Sequence, residues 1–167
     1  MIKKFGSLML LIIAGFMINN CIAQQNKINL YNPLRDANKQ IDSAIAIASK
    51  ENKHLLLQVG GNWCSWCVML HKFYSSEPQI DSALKADYIV EYINYSKENK
   101  NSEVLKRLDF PQRFGFPVLV IIDTKGRRIH TQNTVYLEEG RGYNKVKILD
   151  FLKQWTPSAI NPEKYKE

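Results

Sequence analysis

At 167 residues the chain has room for one domain of ordinary size, not for two large ones. Apolar residues at 45% and charged residues at 23% are ordinary globular usage and exclude wholesale disorder. Lysine and arginine outnumber the acids 23 to 16, a formal charge of +7, but the excess is spread along the chain. That pattern reads as solubility with a mild preference for acidic partners, not as a nucleic-acid footprint, and three cysteines are too few for a disulfide-rich scaffold.

Residues 1–23 read as a leader. Lys3 and Lys4 give a positive start, and Leu8 to Ile18 is an unbroken run of 11 apolar or small residues. That is shorter than the about 20 residues a membrane-spanning helix needs and suits the apolar region of a secretory signal. Cys21-Ile22-Ala23 puts small residues at the first and third positions before a cut, so cleavage is expected after Ala23. A second reading is acylation of Cys21, although Asn19 and Asn20 stand where small residues usually precede a lipidated cysteine. A retained anchor is the third. Simple cleavage leaves only Cys64 and Cys67 and implies the periplasm or the exterior, where disulfides persist.

The mature chain alternates helix and strand signals. Residues 24–35 form a polar N-terminal arm or a first short strand. From Asp36 a helix is expected, with Ile41, Ala44, Ile45 and Ala48 on one face. Leu55, Leu56, Leu57 and Val59 mark a buried strand closed by Gly60-Gly61, after which the Cys64 region opens a helix running to about Tyr74. Pro78 opens another short helix, Tyr88–Ile93 reads as a second strand, and Val104, Leu105 and Leu108 suggest a further short helix. Pro117 leads the most apolar run, Val118 to Ile122, a central strand with proline at a tolerated first position. Asp123-Thr124-Lys125-Gly126 is a turn into a hairpin partner. Val146, Leu149 and Leu152 mark a last amphipathic helix ending near Trp155, and residues 156–167 are a polar tail. Strand–helix–strand units imply parallel pairing and the late hairpin adds antiparallel pairing. The expected fold is α/β, a mixed central sheet with helices on both faces.

Cys64 and Cys67 carry the chemistry. Three apart at a helix start, their sulfurs lie on one face and can close a small disulfide ring. The helix N-terminus offers free N–H groups and positive potential. Both favour a thiolate, which makes the first sulfur the nucleophile and the second the resolving thiol. A zinc or copper site that recruits His71 is the rival reading, short of ligands because no second C-x-x-C exists. A purely structural link closes so short a loop that it contributes little.

Trp63-Cys64-Ser65-Trp66-Cys67 after an apolar strand, with Gly115-Phe116-Pro117 before a later one, resembles the thioredoxin superfamily. The C-x-W-C form with Met69 is similar to bacterial secreted thioredoxin-like proteins. The resemblance covers residues 36–155. It implies a thioredoxin-like fold, Cys64 as attacking and Cys67 as resolving thiol, and Pro117 as a cis-proline that exposes the backbone of Phe116 to an extended substrate. Gly142-Tyr143 looks like the family's glycine loop near the site. One departure is Gln58, six residues before Cys64, where family members similar to thioredoxin carry a buried acid; an amide is no general base. Another is Phe116, bulkier than the usual Thr or Ile.

Trp63, Trp66, Phe116 and Pro117 are the candidate substrate-binding residues, the two tryptophans serving as an apolar platform or as core packing. His71 and the charged Lys97–Lys100 stretch read as solvated, and the loop from Tyr136 to Tyr143 as a candidate gate. No nucleotide or flavin motif appears, so no cofactor beyond the cysteine pair is expected. The expected protein is a monomeric, exported thiol–disulfide oxidoreductase. Its partners would be the thiols or disulfides of other exported proteins and a separate redox protein that resets it, with membrane contact only through Cys21. The alternatives are a metal-binding module or a non-catalytic thioredoxin-like adaptor.

Overall fold

The computed structural model describes residues 28–166, so the leader expected at 1–23 and its cleavage site lie outside the described residues. Helix α1 (Ala37–Glu51) starts where the Asp36 carboxylate accepts the Lys39 N–H, satisfying one of the free amides of the first turn. It stops at Asn52, which takes a left-handed conformation (φ 52°) and returns its N–H to the Ala48 and Ser49 carbonyls. Its buried face holds Ile41, Ala44 and Ala48, as the periodicity requires, with Ile45 half-buried at its edge.

Strand β1 (His54–Gly60) is buried throughout and sorts its side chains by alternation. Leu55, Leu57 and Val59 face α1, while Leu56 faces the opposite helical layer. Then come α2 (Ser65–Ser76), α3 (Pro78–Asp87) with Pro78 at its first turn, and β2 (Tyr88–Asn94), which pairs parallel to β1. Helix α4 (Ser102–Arg107) and a 3₁₀ turn at Pro111–Phe114 lead to β3 (Val118–Ile122), followed by β4 (Arg128–Asn133). A two-residue pair, β5 (Glu138–Glu139) with β6 (Gly142–Tyr143), precedes α5 (Lys145–Gln154).

The main sheet has the order β2-β1-β3-β4. The strand–helix–strand expectation of parallel pairing holds for β1 and β2 and not for β3, which lies antiparallel to β1. The long passage from β2, with positive φ at Asn101 (48°), Asp109 (56°), Phe110 (53°) and Gly115 (85°), delivers β3 to the other side of β1 in the opposite sense. Helices cover both faces. α1 and α4 pack with Val118, Val120 and Ile122 on one side; α2, α3 and α5 pack with Leu119 and Ile121 on the other. Among the described residues no helix is long and apolar enough to cross a membrane.

Candidate active site

The β1–α2 junction places the cysteines. Cys64 is the N-cap of α2, with extended backbone (φ −91°, ψ 105°), and its sulfur accepts the Cys67 N–H at 3.1 Å. A cysteine therefore occupies the place usually taken by Ser, Thr or Asp, and a donor of the first turn points at its sulfur. The same N–H and the helix potential favour a thiolate at Cys64 once the pair is reduced. Here Cys64 and Cys67 form a disulfide with Cα atoms 5.2 Å apart. Cys64 keeps 6% of its surface exposed and Cys67 none, so of the pair only Cys64 borders solvent.

The Phe116–Pro117 bond is cis. Pro117 is buried, Phe116 is half-buried, and the Pro117 carbonyl accepts the Thr134 hydroxyl at 2.6 Å. Phe116 lies edge-on to Trp63 (5.6 Å between centroids) and stacks on Tyr95 at 4.7 Å. Trp63 is 59% exposed, held by its indole N–H on the Tyr95 carbonyl at 2.7 Å. Trp66 does not join this aromatic group. It is half-buried and meets Tyr143 edge-on at 5.5 Å, while the Tyr143 hydroxyl donates to the Trp66 carbonyl. Gly142-Tyr143 thus touches the helix that carries the cysteines. Beside Trp63 opens a cavity of about 610 Å³, bounded by Pro33, Asn62, Tyr95, Lys97, Glu98 and Lys100. The charged stretch read as a solvated loop forms one wall of it.

His71 is half-buried, not solvated. Its Nδ1 lies 2.7 Å from the Tyr92 hydroxyl, and burial lowers its pKa. Among the described residues no group of three or more His, Cys, Asp or Glu side chains converges as metal ligands would.

Sequence reasoning missed Tyr31 and Asn62. Tyr31 is fully buried and packs in one cluster with Cys64 and Cys67, against Leu30, Trp66, Tyr92 and Phe116. Asn62 holds the arm there: its Oδ1 accepts from Leu30 N (2.9 Å) and Tyr31 N (3.1 Å), and its Nδ2 donates to Tyr31 O (2.7 Å). The one available signal was Leu30-Tyr31, an apolar pair within a polar stretch. Gln58, fully buried on β1, donates from Nε2 to the Tyr31 hydroxyl (2.7 Å) and to the Cys67 carbonyl (2.9 Å).

The thioredoxin-like domain family matches residues 41–138. No curated protein matches the chain in sequence. Among solved structures, a disulphide isomerase from Xylella fastidiosa Temecula1 is similar with a TM-score of 0.67 at 24% identity, over 76% of this chain and 96% of that one. The C-terminal domain of DsbD from Neisseria meningitidis, in its oxidised form, is similar with a TM-score of 0.52 at 16% identity, over 74% and 98%. At these identities the likeness is one of fold. With the sheet order, the capping disulfide and a family match over more than half its length, the chain belongs to the thioredoxin-like domain family.

Proposed function

We propose that this protein is an exported thiol–disulfide oxidoreductase that exchanges disulfides with cysteines of other exported proteins through Cys64 and Cys67. The observation that carries it is the Cys64–Cys67 disulfide at the N-cap of α2, one cysteine bordering solvent and the other sealed, with Phe116 packed against the pair. A client thiolate attacks the Cys64 sulfur. The Cys64–Cys67 bond breaks, its electron pair stays on Cys67 as a thiolate, and a client–Cys64 disulfide forms. A second client thiolate then displaces Cys64; the client leaves oxidised and the pair is left reduced. Run backwards, the same steps reduce a client disulfide.

Phe116, Trp63 and Tyr95 form the aromatic wall that meets the client, and the adjoining cavity with Lys97 and Lys100 takes the segment flanking its cysteine. Phe116 packs against the cysteine pair with buried Pro117 following it, both within reach of a client held at Cys64, and Trp66 supports the other flank of α2 through Tyr143. No cofactor beyond the cysteine pair takes part. Export rests on the leader features of residues 1–23, with a separate redox partner resetting the pair, membrane attachment only if Cys21 is acylated, and a monomer as the working unit.

The test is a redox titration of residues 24–167 in a glutathione or dithiothreitol series, read by tryptophan fluorescence. A reversible two-electron transition is expected. A midpoint near about −250 mV marks a reductase and one near about −120 mV a disulfide donor. Cys67→Ser should accumulate mixed disulfides with client proteins. A protein with no reversible transition and no trapped client is not an oxidoreductase.

A further inference from the structure

The carbonyl of Cys67 can only accept a hydrogen bond, so the atom of Gln58 that faces it at 2.9 Å is the amide nitrogen. That nitrogen also faces the Tyr31 hydroxyl at 2.7 Å. The hydroxyl is thereby made an acceptor toward Gln58, and its own proton must point elsewhere. Gln58 Oε1 is buried without a partner, turned away from both. Among the described residues no backbone carbonyl or carboxylate takes the Tyr31 proton. Close to the hydroxyl, though not hydrogen-bonded to it in the disulfide form, stands the Cys67 sulfur. A Cβ built on Gly60 would stand 2.5 Å from the Cys67 Sγ and 3.0 Å from the Tyr31 hydroxyl oxygen, so the two atoms flank one point above the glycine.

We propose that Tyr31, oriented by Gln58, donates its hydroxyl proton in a hydrogen bond to the Cys67 sulfur whenever that sulfur becomes a thiolate. This deepens the oxidoreductase reading and rests on it. In the exchange, the Cys64–Cys67 bond breaks with its electron pair on Cys67, in a site sealed from water. An unpaired buried anion there is costly, and a charge-assisted hydrogen bond offsets that cost. The proton stays on the phenol oxygen. Burial, the largest influence, holds the Tyr31 pKa well above the ordinary tyrosine value, so the group acts as a donor and not as a base. The other titratable groups near Cys67 are Cys64, Tyr92, which lies edge-on to Tyr31 at 5.7 Å and bonds His71, Tyr143, bonded to the Trp66 carbonyl, and Tyr74, buried two turns further along α2 with its hydroxyl unpartnered. The one buried carboxylate among the described residues, Asp123, follows the far end of β3 and is bonded to Arg127. A neutral donor, not a base, thus serves the resolving thiol, and the arm residue that supplies it is anchored by Asn62.

The test follows the titration of Cys67 in the Cys64→Ser protein through the carbon-13 shift of its Cβ. Tyr31→Phe keeps the ring and removes only the hydroxyl. It is expected to move the titration up by about one pH unit, a ten-fold loss of Cys67 thiolate at fixed pH. Placing 3-fluorotyrosine at position 31, a nearly isosteric and more acidic phenol, is expected to move it down, and decides the matter even if Tyr31→Phe does not fold. A Cys67 titration that neither change moves in folded protein overturns the proposal and leaves Tyr31 as packing. The redox titration of the unaltered protein is run alongside. Its failure removes the oxidoreductase reading itself, whereas a normal transition with an unmoved Cys67 removes only the role of Tyr31.

Discussion

Asn62 grips Tyr31 on both sides of its backbone: Oδ1 accepts the Tyr31 N–H at 3.1 Å and Nδ2 donates to the Tyr31 carbonyl at 2.7 Å. It is the pairing a neighbouring strand would make, supplied by one side chain two residues before Cys64. The arm at residues 28–33 forms no strand of its own, yet its tyrosine is buried against the disulfide.

Removing that grip should free the arm without disturbing the sheet. Asn62→Ala is expected to destabilise the protein by about 2 kcal/mol, the loss of a cluster of partly buried hydrogen bonds. The Leu30 and Tyr31 amides should exchange with deuterium much faster while those of β1 stay protected. Unchanged protection at Leu30 and Tyr31 would show that something other than Asn62 holds the arm.

Gly60 is constrained by space. A Cβ there would press on both the Cys67 sulfur and the Tyr31 hydroxyl. Gly60→Ala is expected to cost about 1–3 kcal/mol by overpacking and to alter the redox midpoint, because the atoms displaced include the Cys67 sulfur. Thermal unfolding and the redox titration check both parts. A Gly60→Ala protein with unchanged stability and midpoint would mean that the site relaxes freely there.

Much of this was readable from the residues. The Ile41–Ala48 spacing located α1, the leucine run located β1, and Cys64-x-x-Cys67 located the disulfide at the strand–helix junction. The direction of β3 was not readable, because a strand buried on both faces has an apolar run with no polarity of its own. The role of the arm was hidden for a different reason. Tyr31 is buried by hydrogen bonds to Asn62, 31 residues away, and nothing in its local pattern announces them. His71 read as solvated because its polar partner, Tyr92, comes from β2.

Asp123 sets an acid limit on the β3–β4 turn. Its carboxylate accepts from Lys125 N (2.9 Å), Arg127 N (2.9 Å) and Arg127 Nε (2.7 Å). Burial alone would raise its pKa, but the bonds from Arg127, then that from Lys125, outweigh it and hold the group below the ordinary value. A depressed folded pKa gives stability that is fully present above the unfolded value of about 3.9 and is lost as pH falls through the folded value. Asp123→Ala is expected to cost about 2–3 kcal/mol at neutral pH. The gap between mutant and parent should shrink as the pH drops below about 4. Chemical denaturation across that range measures it, and a gap independent of pH would contradict a charged Asp123.

A Trp63 variant tests the proposed client binding apart from the disulfide chemistry. It is 59% exposed, so Trp63→Ala should cost only about 1 kcal/mol of stability, the worth of its edge contact with Phe116 and its bond to Tyr95. The disulfide, its N-cap geometry and the cis-proline contain no atom of Trp63. Exchange with glutathione, too small to span the aromatic wall, should therefore stay within about two-fold, well under 1 kcal/mol of barrier. If the aromatic wall meets the client as proposed, exchange with an unfolded protein or a long peptide should fall by about ten-fold through a raised KM, the lost surface being one for the chain flanking the client cysteine and not for the sulfurs. Equal losses on glutathione and on peptide would place Trp63 in the redox chemistry, and no loss on either would move client recognition away from the Trp63–Phe116–Tyr95 wall.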